Sequence, residues 1–239
     1  MMRRACSTWQ KFIDRARRDE RGISAVEFAL VLPVMFTIYL GVVELSKGYM
    51  ASQRMTVVAR TLADLLAQQQ QLQTGGTTYC PTGVAPPCVN DTLMSTVFGA
   101  SAAIMAPYDQ AKLTMTVSQI IVTNKADPTK SDCVGGCQAK TDWTIAKNGG
   151  TARPCVILSP GNAAPVSVGT IATGYTTSPS RPGNIIIADV TYSYTPPFGS
   201  FEIWNWKASK TFNMSQTQYM ITRGTTPIAY KATTGTKCS

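Results

Sequence analysis

The 239-residue sequence contains no histidine. Nucleophilic pairs of the Ser-His or Cys-His type are therefore excluded. Beyond position 22 the acidic residues are scattered, and no Asp or Glu pair has a spacing that suggests acid–base catalysis. The Gly-Gly pairs at 135–136 and 149–150 lack the strand–loop–helix setting of a phosphate-binding loop. We therefore expect no enzymatic activity and no cofactor.

Clustered positive charge is also missing from most of the chain. Of the formal net charge of +9, residues 1–22 contribute +4, since seven Lys and Arg residues outnumber three Asp and Glu residues there. The remaining +5 is spread thinly over the rest of the chain. A nucleic-acid surface needs Lys and Arg gathered on one face. We therefore expect no nucleic-acid partner and interpret the basic amino terminus as a membrane-topology signal.

A long apolar run follows this basic segment. Ile23 to Val43 would form a helix about 31 Å long, which matches a hydrocarbon core of about 30 Å. A secretory signal peptide would have a shorter apolar region followed by a small-residue cleavage site, and Glu44 to Lys47 do not form one. We predict a retained transmembrane helix at 23–45. The excess of Lys and Arg before it predicts a cytoplasmic amino terminus and an exported remainder.

One carboxylate lies inside the edge of this apolar run. Glu27 follows Gly22 by five residues, and such a membrane-embedded charge is a functional hypothesis by default. The stretch Gly22-Ile23-Ser24-Ala25-Val26-Glu27-Phe28 resembles the processing site of type IV prepilins of the Flp/Tad class. The longer string Val26 to Pro33 resembles the opening of TadE-like minor pilins. Phe28 stands where the major Flp pilins typically carry tyrosine.

This resemblance implies a minor pilin or pseudopilin of a Flp/Tad pilus. It implies cleavage between Gly22 and Ile23 by a prepilin peptidase, with Glu27 as the partner of the new α-amine on Ile23. The implied partners are that peptidase, other pilins, Tad assembly proteins and the lipid of the bacterial inner membrane. The implied location is a single-pass inner-membrane protein with a periplasmic carboxy-terminal domain, which is extracellular once the subunit enters a pilus.

Two other functions are compatible with the sequence. The first is an uncleaved, membrane-anchored module whose exported domain binds other components of the envelope or secretion apparatus. The second is an exported binder of an extracellular ligand, which rests only on the aromatic residues Tyr175, Trp204 and Trp206.

The seven cysteines support the same topology. Only Cys6 precedes the membrane segment, which leaves an even set of six on the exported side, where disulfides are expected. Six cysteines allow fifteen pairings, and the sequence does not select among them. Spacing suggests Cys80 with Cys88 and Cys133 with Cys137, which leaves Cys155 with Cys238. Zinc at Cys133 and Cys137 is the alternative, but the chain has no histidine, and zinc sites usually add a second close pair of ligands. We expect no metal.

The exported part begins with a helical pattern and continues with strands. Apolar residues recur at three- and four-residue steps from Glu44 to Gln73, which predicts an amphipathic extension of the membrane helix. Residues 74–90 form a predicted loop, and Thr92 to Met105 a short helix. Asn124 to Gly150, rich in Gly, Lys and Asp, is predicted to be a second loop.

Alternating apolar residues predict the strands. Lys112 to Ser118 alternates, and its pattern slips near Gln119–Ile121, which suggests a bulge. Cys155 to Leu158 predicts a short strand. Asn184 to Tyr194 is the clearest strand, with Lys210 to Ile221 as its hairpin-type partner.

A long helix followed by strands predicts an α+β fold. The single transmembrane helix would continue into a long amphipathic helix packed on a small antiparallel sheet, an architecture that resembles pilins and would be stabilised by disulfides. The expected divisions are a basic leader at 1–22, the transmembrane helix at 23–45, its amphipathic extension at 46–73 and an exported α+β domain at 74–239.

Overall fold

The computed structural model describes residues 21–69, 72–74, 77–79, 89–124, 126–127, 137–158, 184–196, 211–222, 227–230 and 234–238. Residues 1–20 of the predicted basic leader lie outside these ranges, as do Cys80, Cys88, Cys133 and the three aromatic residues Tyr175, Trp204 and Trp206. The chain divides into two compact units. The first comprises residues 1–48 and 196–208, and the second comprises residues 49–195 and 209–239.

Helix α1, Arg21–Ala67, is one continuous helix of 47 residues that contains Pro33. It ends six residues before the predicted end at Gln73, and strand β1 begins at Leu72. Strands β1 (Leu72–Thr74) and β2 (Thr77–Tyr79) form a small antiparallel hairpin. In the sequence, Gly75-Gly76 stands between the two strands.

Helix α2, Asp91–Ala103, is the predicted short helix. It begins where the Asn90 side chain accepts a hydrogen bond from the Leu93 backbone N–H at 2.9 Å, which satisfies one of the free donors of the first turn. Met94, Val97 and Phe98 follow at helical spacing and are buried. A short 3₁₀ turn, Gln110–Lys112, then leads into the main sheet.

The main sheet is antiparallel throughout. Its order is β5-β4-β3-β6-β7, with β8 also paired to β4. The strands are β3 (Leu113–Asn124), β4 (Cys137–Lys147), β5 (Ile157–Leu158), β6 (Ile185–Tyr194), β7 (Phe212–Ile221) and β8 (Thr236–Lys237). This long helix followed by an antiparallel sheet confirms the predicted α+β fold.

Two details of the sheet were also predicted correctly. The β3–β4 register shifts between Gln119 and Ile120, where the sequence alternation slips. Strands β6 and β7 pair antiparallel along their whole length, from Ile185↔Ile221 to Tyr194↔Phe212.

The predicted loop from Asn124 to Gly150 is wrong, because Cys137–Lys147 forms strand β4. This strand pairs with β3 along almost its entire length. Ala139, Trp143 and Ile145 alternate as buried residues. The lysines and glycines around them resemble loop composition and obscured that alternation. A short turn follows the end of β4 at Lys147, and in it Asn148 and Gly149 have positive φ.

The core of the second unit lies between α1 and the sheet. Seven residues of α1 form one fully buried stripe at three- and four-residue spacing: Ala51, Met55, Val58, Ala59, Leu62, Ala63 and Leu66. They belong to one apolar cluster with Leu113 and Met115 of β3 and with Ala188 and Val190 of β6. Fully burying a side chain such as that of Leu62 contributes about 2 kcal/mol relative to exposure.

The carboxy terminus is held to strand β4. A disulfide joins Cys155 to Cys238 with Cα atoms 5.2 Å apart, which is the third of the expected pairs. Trp143 stacks on Tyr230 with ring centroids 4.9 Å apart, and its indole N–H donates to the Ile228 carbonyl at 3.1 Å. Because Cys155 and Cys238 are 83 residues apart, the bond restricts a long segment of the unfolded chain.

Candidate functional site: the amino-terminal helix

The first turns of α1 contain the predicted processing and assembly residues. Gly22 and Ile23 both have helical backbone conformation. Positions 23 and 27 are four residues apart, so they lie on the same face of the helix, one turn from each other. Glu27 is exposed, and Phe28 is 67% exposed. Cleavage after Gly22 would create an α-amine at Ile23. The helix therefore places Glu27 on the same face as that amine, one turn away.

The helix beyond Glu27 exposes apolar side chains around its whole circumference. These large side chains are spread over residues 28–42 and are not confined to one stripe: Phe28, Leu30, Val31, Leu32, Val34, Met35, Phe36, Ile38, Tyr39 and Val42. A helix that is apolar all round needs an apolar environment, either a protein core or a bilayer. Ser24–Ala67 is long and apolar enough to cross a membrane, with a mean hydropathy of 2.2 in its most apolar window, none of it buried. This helix fits a single-pass membrane protein.

Two hydroxyl groups in the first part of α1 bond to backbone carbonyls of the helix itself. Thr37 Oγ1 donates to the Val34 carbonyl at 2.8 Å, and Ser46 Oγ donates to the Val42 carbonyl at 2.8 Å. Such internal bonds satisfy polar groups that would otherwise be costly in hydrocarbon. Pro33 lacks an N–H, so the Ala29 carbonyl lacks its usual helical donor, which membrane helices tolerate.

The apolar side chains of α1 change from exposed to buried between Gly48 and Met55. Leu45 and Tyr49, which belong to the predicted apolar pattern, are 77% and 65% exposed, whereas Ala51 and Met55 are fully buried. The buried stripe therefore starts at Ala51, six residues after the start of the sequence pattern at Leu45. The residues before it form the exposed apolar segment, and those after it belong to the core of the second unit.

Residues 22–64 match the model of the TadE-like protein family. The first helix carries a TadE-like segment. This match is consistent with a TadE-like protein of the Tad pilus system, and it supports the resemblance drawn from Val26 to Pro33. Gly22, Ile23, Glu27 and Phe28 all lie within the TadE-like segment. Among curated proteins and among solved structures, nothing matches this chain.

Sequence reasoning missed a polar groove outside the TadE-like segment. It has a volume of about 530 Å³ and lies over the face of the sheet that carries Thr114, Thr116, Asp189 and Thr217. Arg153 contributes one wall, and its guanidinium donates Nε–H and Nη2–H bonds of 2.9 Å each to the two carboxylate oxygens of Asp189. Because the two residues are 36 positions apart, no local motif could reveal the pair.

The polar groups that line the groove hydrogen-bond to one another. Thr217 Oγ1 donates to Asp189 Oδ1 at 2.6 Å, and the Arg153 backbone N–H donates to Thr144 Oγ1 at 3.3 Å. The Arg153 side chain is 6% exposed and that of Asp189 is 23% exposed. This fork-to-fork pairing ties the segment after β4 to strand β6 and acts as a structural clamp. Within the ranges that the structure describes, no cluster of three or more Cys, Asp or Glu residues could hold a metal ion.

Proposed function

We propose that this chain is a structural minor pilin or pseudopilin that takes part in assembly of a Flp/Tad-type pilus. The observation that carries the proposal is the TadE-like segment, residues 22–64, placed on an exposed apolar helix of membrane-spanning length. In the proposal a prepilin peptidase cleaves between Gly22 and Ile23. The exported sheet domain then remains attached to the helix that enters the assembly.

Cleavage would create a charge pair at the end of this helix. The new α-amine of Ile23 has an unperturbed pKa of about 8, so it is mostly cationic at neutral pH. Glu27 lies one helical turn away on the same face, or beside the amine of a neighbouring subunit. Removing one partner of a buried ion pair costs about 3–5 kcal/mol. A penalty of that size is enough to decide whether a subunit enters a helix bundle.

The proposed partners follow from this role. They are the prepilin peptidase, which recognises residues 15–28, other pilins and Tad assembly proteins, which contact the apolar helix, and the lipid of the inner membrane. We propose an amino terminus in the cytoplasm and a second unit in the periplasm, or outside the cell once a pilus forms. The chain is a substrate of the peptidase and not itself an enzyme.

Intact-mass and amino-terminal analysis of the full chain from native membranes tests the cleavage. We expect a mature chain that starts at Ile23 in the wild type and an uncleaved chain in Gly22→Ala. Gly41→Ala is the matched control, because a Cβ at Gly41 meets no atom within 4 Å and the site is far from the scissile bond. A full-length chain in the wild type would instead favour the uncleaved envelope module.

Glu27→Gln separates processing from assembly. We expect normal removal of the leader in this variant but much less of it in sheared pili, because the Ile23 amine then lacks a charged partner. The control is Glu44→Gln at the other end of the apolar run, which we expect to process and assemble normally. Equal amounts of all three proteins in pili would contradict the assigned role of Glu27.

A further inference from the structure

Strand β7 forms one edge of the main sheet. It is ten residues long and has β6 on one side only among the strands that the structure describes. Its sequence, Phe212 to Ile221, contains neither a charged residue nor a proline. Phe212, Tyr219 and Ile221 are each more than half exposed. Natural edge strands are usually short, charged or interrupted, since an open edge can template further strand pairing.

The opposite side of the sheet is protected. Among the described residues, the strands beyond β4 are the two-residue strands β5 and β8, and the Cys155–Cys238 disulfide joins the chain next to β5 to the chain next to β8. That side also carries charge: Lys140 of β4 lies opposite Ile157 of β5, and Lys237 of β8 lies opposite Trp143 of β4. The two edges of the sheet thus differ in the length of their strands, in charge and in the presence of a disulfide. In the described part of the chain, the β7 edge has a long strand, no charged residue and no disulfide.

The backbone groups of β7 that face outward can be assigned. The Thr222 N–H donates to the Asn184 carbonyl at 2.8 Å, and these residues lie directly opposite in the β6–β7 register. Directly opposite residues alternate between hydrogen-bonded and non-hydrogen-bonded pairs in an antiparallel ladder. Even-numbered residues of β7 therefore bond to β6. Odd-numbered residues direct their N–H and C=O groups outward: Asn213, Ser215, Thr217, Tyr219 and Ile221.

We propose that this edge binds the same edge of a second copy of the chain, antiparallel about a two-fold axis. The axis passes through Thr217, which then lies opposite its own copy. This register uses all five outward-facing residues and forms roughly ten backbone hydrogen bonds. The main sheet of each copy would continue into the other, in an isologous interface of the kind that is commonest in homo-oligomers.

The side chains of β7 are complementary in this register. On the face that packs against the core, the partly buried Met214 and Met220 lie opposite each other, and Gln216 lies opposite Gln218. On the other face the proposed pairs are Tyr219 with Ser215 and Ile221 with Asn213. Apolar and hydrogen-bonding cross-strand pairs each stabilise a sheet by about 0.2–1 kcal/mol.

The neutral strand can pair with a second copy, and the charges at its two ends distinguish that partner from an acidic peptide by the effect of salt. The strand is neutral over its whole length, so two copies can pair without opposing like charges inside the ladder. In sequence the nearest charges are Lys210 and Arg223, one at each end. Antiparallel pairing brings these cations toward each other at both ends of the ladder. The dimer is therefore expected to strengthen as salt screens them, whereas binding of an acidic peptide would weaken.

Site-specific photo-cross-linking tests the interface in the full chain. A benzoylphenylalanine in place of Tyr219 is irradiated in membranes that contain mixed unlabelled and ¹⁵N-labelled copies. We expect a covalent dimer whose cross-linked peptides both contain residues 211–223, one light and one heavy. No cross-link at this position, or a cross-link to another protein, would overturn the proposal.

A charge swap distinguishes the proposed register from general loss of folding. In the photo-cross-linkable chain, Asn213→Lys with Ile221→Lys places like charges opposite each other at two places and should lower the cross-linked fraction about ten-fold or more. Asn213→Lys with Ile221→Glu alters the same two exposed positions but makes opposite charges meet. We expect this variant to cross-link at least as well as the parent. Equal cross-linking by both variants would also overturn the register.

The inference is independent of leader processing. Adding lysines at Val156 and Ile157, which are exposed at the opposite side of the sheet, controls for added charge and should leave the cross-link unchanged. The mass at the amino terminus is recorded in the same samples. An uncleaved chain that still forms the β7 dimer would contradict the proposed function alone, and a cleaved chain without the dimer would contradict this inference alone.

Discussion

At the scale of single residues, the ion pair between Arg153 and Asp189 shows how a charge is kept inside the sheet domain. Both guanidinium bonds are 2.9 Å long, and Thr217 supplies a further donor to the carboxylate. A buried pair of this kind contributes little compared with an apolar replacement, yet losing one partner is costly because the other is left unpaired. The consequence can be measured at Asp189.

We expect Asp189→Ala to lower the free energy of unfolding by about 3 kcal/mol, because the Arg153 guanidinium would remain buried without its carboxylate. Chemical denaturation of the full chain in nanodiscs, followed by tryptophan fluorescence, measures the change. Ser193→Ala on the same face of β6 is the control and should cost no more than about 1 kcal/mol. Equal stability of Asp189→Ala and Ser193→Ala would show that the pair does not clamp the sheet.

Asp142 is a partly buried carboxyl whose surroundings disfavour its ionised form. Burial raises the pKa of its carboxyl above the ordinary value of 3.8, although Lys237, Lys140 and a hydrogen bond from Gln119 act in the opposite direction. An acid whose pKa is raised by folding favours the folded state when it is protonated. That contribution is present below pH 3.8 and is lost as the pH rises through the folded-state pKa.

The raised pKa of Asp142 leads to a prediction for Asp142→Asn, which keeps an acceptor for the Gln119 amide but carries no charge. We expect the variant to melt at a higher temperature than the wild type at pH 7. The difference should shrink as the pH is lowered toward and below 3.8, where the wild-type carboxyl is itself protonated. Melting curves at a series of pH values test this, and a variant less stable at pH 7 would show that the two lysines dominate.

At the scale of elements, α1 is one helix with two different environments. Its first part exposes apolar side chains around the whole circumference, and its last part buries a single stripe against the sheet. Helical periodicity alone does not separate these environments, since Leu45 and Tyr49 fit the same pattern as Met55 and Leu62. Burial in the second unit separates them.

This difference predicts contrasting effects of truncation within one helix. Leu62→Ala should lower the free energy of unfolding of the sheet domain by about 2–5 kcal/mol, because Leu62 is fully buried and its removal leaves a cavity. Val57→Ala, at a position that is 51% exposed, should change it by less than about 1 kcal/mol. The same nanodisc denaturation assay compares the two, and similar losses would contradict the assigned core face.

At the scale of the whole molecule, two independent features of the sequence predict the same orientation. Lys and Arg are concentrated before the apolar segment, and six of the seven cysteines follow it. The Cys155–Cys238 disulfide agrees with an oxidising compartment for the second unit. The orientation itself stays a prediction.

Protease protection tests this orientation. When protease is added to intact spheroplasts, we expect residues beyond the membrane helix to be digested while an epitope at the amino terminus of an uncleavable Gly22→Ala chain survives. Thiol labelling without reduction should leave Cys155 and Cys238 unmodified. Protection of the second unit until the membrane is permeabilised would reverse the predicted topology.

The sequence by itself determined the features that depend on neighbouring residues. Apolar length predicted the membrane-type helix, alternation predicted β6 and β7, and the string from Val26 to Pro33 placed the TadE-like segment within the matched residues 22–64. The candidate residues Gly22, Ile23, Glu27 and Phe28 could be named for the same reason. Their roles depend on a peptidase and on neighbouring subunits, so these roles remain predictions.

Only the tertiary structure decided which distant segments meet. Strand β4 was hidden by lysine and glycine until its pairing with β3 revealed it, and Arg153 meets Asp189 only because β6 lies next to β3. The position of β7 at the edge of the described strands likewise follows from strand order, which local periodicity does not specify. Local patterns report the burial of one face of a segment, whereas ion pairs, clamps and free edges depend on long-range packing, which brings together residues far apart in the chain.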